Sequence, residues 1–289
     1  MSLFESGESS GAVSLSALFD GAAEVSGLVD FDIERIAFTS CRGGWPEVVV
    51  GGDGDDVLDM AADYVRELLD SDIGQMDGVS RNRTWMRSIM RSYARNLSSE
   101  AATTTIAADM SGEPASVDTV ADYLDVLSRA YVVEDLEAWN PRLRSKTVVR
   151  TSRTRHFVDP SIAAAVMGVT PAKLLEDFET FGLLFESMCV RDLRVYADAM
   201  HGEVRHYRDK TGLEADAVVT LEDGRWAPIE VKLGSRQINE AAAHLLKFAD
   251  RVDQSREGTP SFLMVLTGTQ AAYRRDDGVY VVPLAMLAP

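Results

Sequence analysis

Two apolar runs, 213–220 and 225–232, flank the turn sequence Glu222-Asp223-Gly224 and constrain the fold more than any other feature of this chain. Runs of this length around an acidic, glycine-containing turn predict a β-hairpin. The surrounding pattern adds helices at 172–199 and 238–252 and strands at 203–208, 262–267 and 279–282. This order predicts an α+β or α/β fold with a mixed sheet flanked by helices.

The register of the hairpin decides which side chains meet. If all three turn residues form the loop, with the glycine in the left-handed region, Leu221 lies opposite Arg225 and Asp216 opposite Glu230. Both carboxylates then point to one face of the hairpin. A two-residue loop at Asp223-Gly224 would shift the pairing by one residue and place the two carboxylates on opposite faces.

In the first register the hairpin gathers acids and a lysine on one face. Because side chains alternate along a strand, Lys232 shares the face of Glu230, and Glu214 shares that of Asp216. Convergent carboxylates repel each other unless a cation lies between them, and Mg²⁺ prefers such oxygen ligands. The ion could polarise a phosphodiester while the lysine orients water or offsets developing charge, as in a metal-dependent nuclease. The competing interpretation is an exposed strand in which Lys232 pairs with Glu214 across the hairpin.

The middle of the chain predicts a winged-helix unit. Apolar residues recur at helical spacing in 59–69, 82–97, 103–110 and 116–130, and the apolar runs 131–133 and 147–158 are typical of strands. Three acids on the exposed face of the 116–130 helix would repel phosphates, so base-specific reading of DNA by this helix is disfavoured. These acids are Asp118, Asp122 and Asp125.

Arginines form two candidate nucleic-acid contacts. One set recurs every four residues on the 82–97 helix, opposite its apolar face, and the other lies in the predicted basic wing. The first set either forms a solvated face or pairs with the acidic N-terminal region, and the alternative is a row of phosphate contacts. The candidates are Arg83, Arg87, Arg91 and Arg95 on the helix and Arg153 and Arg155 in the wing.

Charge and composition exclude several classes of protein. The formal charge is −17, and the first 80 residues hold 17 acids and three arginines, but a local basic patch can still attract nucleic acid. No apolar stretch approaches the length of about 20 residues that spans a bilayer, and no secretory signal opens the chain, so we expect a cytoplasmic protein. A GxxxxGK[ST] motif is absent, and the glycines at 51–54 lack the lysine and hydroxyl that hold nucleotide phosphates.

Several of these motifs together resemble a group of prokaryotic AAA-type ATPases over roughly residues 13 to 250 of this chain. Their C-terminal domain, of unknown function, looks like a restriction-endonuclease fold of the PD-(D/E)xK type. The matching motifs are Gly43-Gly44-Trp45-Pro46-Glu47, Tyr123-Leu124-Asp125-Val126-Leu127, Phe157-Val158-Asp159, Phe185-Glu186, the 207–216 segment and Ile229-Glu230-Val231-Lys232. The resemblance implies an ATPase tail at 1–58 before the winged helix at 59–160, and a nuclease-like domain at 161–289.

The resemblance also implies roles for individual residues. Asp216 corresponds to the central ligand of a Mg²⁺ ion, Glu230 to the second ligand and Glu186 to a helix carboxylate near the metal. Lys232 corresponds to the catalytic-type lysine, and Arg208 is a nearby phosphate-contact candidate. The family's P-loop domain is not present in this sequence, so ATP is expected only in relatives that carry it. Nucleic acid or a separate ATPase portion is the expected partner, and the alternative is a catalytically silent binding module.

Overall fold

The computed structural model describes residues 1–51, 54–70, 79, 81–112, 114–141 and 148–289. The glycine-rich segment 51–54, the turn predicted at 111–114 and the basic stretch 142–147 therefore lie partly or wholly outside the described residues. The chain divides into two compact units. The first comprises 1–36, 137–151 and 189–289, and the second comprises 37–136 and 152–188.

A seven-stranded mixed sheet forms the framework of the first unit. Neighbouring strands are mostly antiparallel, and the two central pairings β5–β6 and β6–β8 are parallel. The sheet order is β2-β7-β8-β6-β5-β4-β3, and β1 pairs separately with β9. The strands are β1 (Val13–Ser14), β2 (Gly27–Leu28), β3 (Gly202–Arg208), β4 (Glu214–Leu221), β5 (Trp226–Lys232), β6 (Met264–Thr267), β7 (Ala271–Arg274), β8 (Tyr280–Pro283) and β9 (Leu287–Ala288).

One helix of this unit, α11 (Ile238–Arg251), packs against the central strands of the sheet. Its buried face inserts Phe248 among aromatic rings, with ring centroids 4.5 Å from Tyr207 and 6.1 Å from Trp226. Trp139 completes the cluster at 4.9 Å from Trp226. Aromatic residues of this size bury much apolar area, so the cluster anchors the helix on the β3–β4–β5 part of the sheet.

The second unit is helical. Several of its helices begin at a side-chain cap: Asn82 accepts the backbone N–H groups of Thr84 and Trp85, and Ser116 accepts that of Thr119. The α-helices in the described residues, apart from α11, are α1 (Leu15–Phe19), α2 (Ile33–Arg42), α3 (Pro46–Gly51), α4 (Asp59–Asp70), α5 (Arg83–Arg95), α6 (Thr103–Ala108), α7 (Val117–Arg129), α8 (Pro160–Met167), α9 (Pro171–Leu174), α10 (Phe178–Asp198) and α12 (Gln254–Glu257). Of these, α1, α12 and the C-terminal half of α10 belong to the first unit, and α2 and α10 cross the boundary between units along the chain.

The observed architecture confirms the predicted fold class: helices precede a mixed sheet that is flanked by helices. Three predicted elements differ from the observed ones. The helix expected at 172–199 is split, because Asp177 accepts the backbone N–H and the hydroxyl of Thr180 and so starts a new helix. The strands expected at 131–133 and 147–158 are reduced, within the described residues, to isolated bridges such as Val133–Phe157 and Leu136–Thr154.

The two compact units do not coincide with the three segments expected from the sequence. The sequence divides at 58 and 160, whereas each observed unit gathers separate stretches of chain. The reason is the sheet: β2 in the first forty residues pairs with β7 near the C-terminus. The assignment of residues 1–58 to an ATPase tail stays a prediction. None of the described helices combines the length and the apolar character that a membrane crossing requires.

Two motifs named in the sequence meet inside the second unit. Asp159 caps α8 by accepting the N–H of Ser161, and its other oxygen accepts the N–H of Gly44 at 2.9 Å. The indole N–H of Trp45 donates to the hydroxyl of Ser161 at 3.0 Å. The Gly-Gly-Trp-Pro segment is thus bound to the start of α8, which gives this pair of motifs a structural role.

Tyr131 occupies a position that favours glycine, and its replacement should stabilise the fold. It has φ +53° and is 80 % exposed. It lies just after α7. There the Tyr131 N–H donates to the Ser128 carbonyl, and the Val132 N–H donates to the Leu127 carbonyl. We expect Tyr131→Gly to raise the free energy of unfolding by about 0.5–1 kcal/mol in urea denaturation, because glycine relieves the left-handed strain. Tyr131→Ala keeps a Cβ and should give no such gain. An unchanged or lower stability of the glycine variant would contradict this account.

Candidate active site

The hairpin of β4 and β5 has the register that brings Asp216 and Glu230 together. Leu221 N–H donates to Arg225 C=O, and Gly224 has φ +87°, as the three-residue loop predicts. The ladder continues to Ala217 opposite Ile229, and the next position along each strand is Asp216 and Glu230. Pro228 fits because it lies opposite Val218, one residue before pairing with β6 begins.

Lys232 joins the two carboxylates. Its Nζ donates to Glu230 Oε2 at 2.7 Å and to Asp216 Oδ2 at 3.2 Å. The Asp216 oxygen also accepts the backbone N–H of Val231 at 2.7 Å, which fixes its direction across the strands. Glu214, predicted to share this face, pairs instead with Arg208 at 3.4 Å. The cross-hairpin Lys232–Glu214 pair of the competing interpretation is therefore replaced by a cluster of Asp216, Glu230 and Lys232, here called the DEK cluster.

The DEK cluster is largely withdrawn from solvent. The side chains of Glu230, Asp216 and Lys232 are 2 %, 15 % and 22 % exposed. Burial and the neighbouring charge of Asp216 raise the pKa of Glu230 to about 9, although Lys232 opposes the shift. Burial alone would lower the pKa of Lys232, but the two carboxylates outweigh it and raise that pKa. The cluster therefore holds an ammonium between two acids that compete for it.

One atom of the DEK cluster lacks a hydrogen bond. Glu230 Oε1 is buried, and no donor among the described residues reaches it. A buried polar atom without a partner costs about 1–3 kcal/mol, so such an atom calls for a physical explanation. A cation bound between the carboxylates would supply one.

The sequence predicts two further residues for this site, Glu186 and Arg208. Glu186 lies on α10 in the second unit, half-buried, whereas the DEK cluster belongs to the first. Its role as a third carboxylate stays a prediction. Arg208, at the end of β3, has its guanidinium beside Glu214 and is 40 % exposed. Within the described residues, no group of three or more His, Cys, Asp or Glu side chains is arranged to hold a metal.

The arginine stripe of α5 is exposed along its whole length, as the sequence predicts. Its two ends are engaged by acids: Arg83 pairs with Asp70, and Arg95 with Asp109 at 2.7 Å. In the part of the chain that the structure describes, no acid pairs with the two central residues, Arg87 and Arg91. The stripe therefore concentrates its available positive charge at its centre, and its phosphate contacts stay a prediction.

The two wing arginines differ. Arg153 is exposed. Arg155 is 14 % exposed on its side chain, pairs with Asp135 at 2.6 Å and donates from Nε to the Ala101 carbonyl at 2.9 Å. Its guanidinium also lies 5.9 Å from the ring centroid of Tyr93. A phosphate contact by Arg155 would have to break this set of interactions, so the geometry gives it a structural role.

Asp209 organises the turn before β4, a role that the sequence analysis missed. One oxygen accepts the N–H groups of Thr211 and Leu213 and the Thr211 hydroxyl, and the other accepts Arg251 at 2.7 Å. The side chain has no exposed surface. An aspartate that binds the backbone two residues ahead in an Asp-Lys-Thr-Gly turn is an Asx turn, and this signal could have identified it. The turn sets where β4 begins, two residues before Asp216.

Asp209 should make the fold sensitive to acid. Burial alone would raise the pKa of Asp209, but the Thr211 and Leu213 hydrogen bonds and the Arg251 charge outweigh it and hold that pKa below its usual value. The ionised carboxylate therefore stabilises the fold above the pKa of the unfolded chain, near 3.9, and this stability is lost as the pH falls through the lower folded value. Asp209→Asn should cost about 2 kcal/mol at neutral pH. Urea midpoints should fall more steeply between about pH 5 and about pH 2 for wild type than for the variant, and parallel curves would exclude Asp209 as the cause.

Comparisons with known families give two matches of unknown function. Residues 33–173 match a family model described as a domain of unknown function (DUF8612), and residues 181–287 match a domain of unknown function (DUF4143). The second domain occurs at the C-terminus of AAA-ATPase-associated proteins. The DUF4143 match includes all three residues of the DEK cluster. No curated protein and no solved structure gives a significant match to this chain.

Proposed function

We propose that the DEK cluster is a divalent-cation site with which this chain hydrolyses phosphodiester bonds of a nucleic acid. The observation that carries the proposal is the convergence of Asp216 and Glu230 on one lysine, with Glu230 Oε1 buried and reached by no donor in the described part of the chain. The occurrence of DUF4143 on AAA-ATPase-associated proteins supports an ATPase portion as a further partner.

The donor set fits a hard divalent cation. Two carboxylates from adjacent strands offer oxygen ligands, which Mg²⁺ prefers, and a cation would satisfy the buried Glu230 oxygen and offset its repulsion with Asp216. Mg²⁺ bound by Asp216 and Glu230 would supply Lewis-acid polarisation of the scissile phosphate. Lys232 Nζ contacts both carboxylates, so it competes with such an ion for them.

The protein's own groups have separate tasks in this proposal. The Val231 N–H holds the Asp216 carboxylate in place, so this ligand is positioned before any ion arrives. Lys232 stays protonated because the two carboxylates raise its pKa. With a cation held by Asp216 and Glu230, the Lys232 ammonium would be available to a water molecule or to the charge that develops on the phosphate. Arg208 is the candidate for a contact with a neighbouring phosphate.

A second candidate function is favoured by the same lysine. With Lys232 bound to both acids and all three side chains mostly buried, the DEK cluster can serve as a structural ion triad. The chain would then be a catalytically silent module of nuclease-like fold that binds a protein or nucleic-acid partner.

Cleavage assays separate the two candidates. Single-stranded DNA, duplex DNA and RNA are incubated with Mg²⁺ or Mn²⁺ and with wild-type protein, Asp216→Asn or Glu214→Gln. The Glu214 variant is the matched control, since it removes a carboxylate on the same strand and face that pairs outside the cluster. The proposal expects cutting by wild type and Glu214→Gln, and at least about a hundredfold loss in Asp216→Asn. Cutting that survives in Asp216→Asn, or no cutting of any substrate by wild type, contradicts the proposal.

A further inference from the structure

A second surface, in the helical unit, has the features of a docking groove. It lies between α4, α5 and α8 and encloses a volume of about 220 Å³. Its apolar lining is formed by Ala62, Val65, Leu69, Met90, Ala165 and Val166. Three of these, Ala62, Ala165 and Val166, are only half-buried, so the groove offers apolar surface to a ligand.

Among the described residues, the charged side chains that line the groove are both arginines, Arg66 and Arg87. Arg66 pairs with Asp63, but both side chains of this ion pair are exposed to solvent, and exposed ion pairs are weak. For Arg87 and for its neighbour on the stripe, Arg91, no described acid provides a partner. The apolar groove is therefore bordered by guanidinium groups able to bind carboxylates.

The size of the groove limits what it can hold. Pockets for whole small-molecule ligands usually measure about 300–1,000 Å³, and this groove is smaller. It suits one or two apolar side chains that project from a larger partner. Helix-in-groove recognition has this form, with apolar anchors inserted and charged residues along the edges.

We propose that this groove binds an acidic amphipathic peptide segment of a partner protein, with apolar side chains between α4, α5 and α8 and carboxylates on Arg66 and Arg87. A nucleic-acid backbone explains the arginines but not the apolar lining, because phosphates gain nothing from apolar contacts. The groove lies within the second unit, so this proposal stands or falls independently of the DEK cluster.

A synthetic peptide tests the proposal with the full chain. The probe is a fluorescein-labelled twelve-residue helix with leucines on one face and glutamates on the other, measured by anisotropy. Wild-type protein should bind it, and Arg87→Glu should weaken binding at least about tenfold. Ala62→Leu, which fills the groove and leaves every charge in place, should weaken it similarly. Arg205→Glu is the control, since Arg205 is an exposed arginine of the first unit, and it should bind like wild type.

The other outcomes overturn the proposal. Equal binding of a peptide with serines in place of the leucines would show that the surface attracts the peptide by charge alone. Binding of a duplex DNA that displaces the peptide and tolerates Ala62→Leu would reassign the arginines to phosphate contacts. Absence of peptide binding to wild type would exclude the groove as a docking site for such a segment. Thermal denaturation of each variant confirms that the fold is retained.

Discussion

Lys232→Met should have a lower free energy of unfolding than wild type without a metal ion, and a bound metal ion should restore it. In wild type the Lys232 ammonium donates to both Asp216 and Glu230, at 3.2 and 2.7 Å. Its removal leaves two neighbouring carboxyl groups in a mostly buried place, a change that costs about 3 kcal/mol in comparable ion pairs. A divalent cation would restore the missing positive charge, so Mn²⁺ at a hundred times its dissociation constant should return about 2.7 kcal/mol. Urea denaturation with EDTA and with Mn²⁺ measures both quantities.

The same variant separates ion binding from catalysis. Because Lys232 competes for the carboxylates, Lys232→Met should bind Mn²⁺ at least as tightly as wild type, while its cleavage rate should fall by about 10²–10³-fold. Lys247→Met, which removes an exposed lysine of α11, should change neither property. If Lys232→Met is equally unstable with and without Mn²⁺, the cluster is the structural triad of the silent alternative.

Gly43→Ala should lower the free energy of unfolding by about 3 kcal/mol or more. Gly43 has φ +79°, where a Cβ adds strain of about 1 kcal/mol. The added carbon would also lie 2.4 Å from Ser161 Oγ and 2.6 Å from Asp159 Oδ1. Relief of this clash requires the cap of α8 to move, which breaks the Asp159–Ser161 hydrogen bonds.

Denaturant unfolding of the full chain measures this effect. The matched control is Gly168→Ala, another glycine in the left-handed region at the end of the same helix. A Cβ there meets no atom of the residues that the structure describes within 4 Å, so only the backbone strain of about 1 kcal/mol should appear. Equal losses in the two variants would show that the close packing of Gly43 against α8 contributes nothing.

Local signals explain which parts of the fold could be predicted. The helices α4, α5, α6 and α7 follow from apolar periodicity and turn residues close in sequence. The sequence allowed two registers for the β4–β5 hairpin, and the structure has the one set by the three-residue loop, with Gly224 at φ +87°.

Long-range pairing explains what could not be predicted. β2 has two residues and pairs with β7, more than two hundred residues away, and β1 with β9 is a similar case. Such short strands carry no periodic signal of their own. The division into two units escaped prediction for the same reason, since the sheet draws distant stretches of chain together.

The sequence placed three side chains of the candidate site on one face in only one of its two registers. With the three-residue loop, alternation along the strands puts Asp216, Glu230 and Lys232 on that face, and the structure brings these three together. Glu214 pairs with Arg208 rather than joining them. Side-chain choices of this kind depend on competition among nearby charges, which spacing does not encode.

Calorimetric titration of Mn²⁺ into the metal-free protein tests the central claim most directly. Wild type and Glu214→Gln should bind the ion, and Asp216→Asn should lose that binding, because Asp216 is the ligand held in place by the Val231 N–H. Absence of binding to wild type, or equal binding to Asp216→Asn, would contradict it.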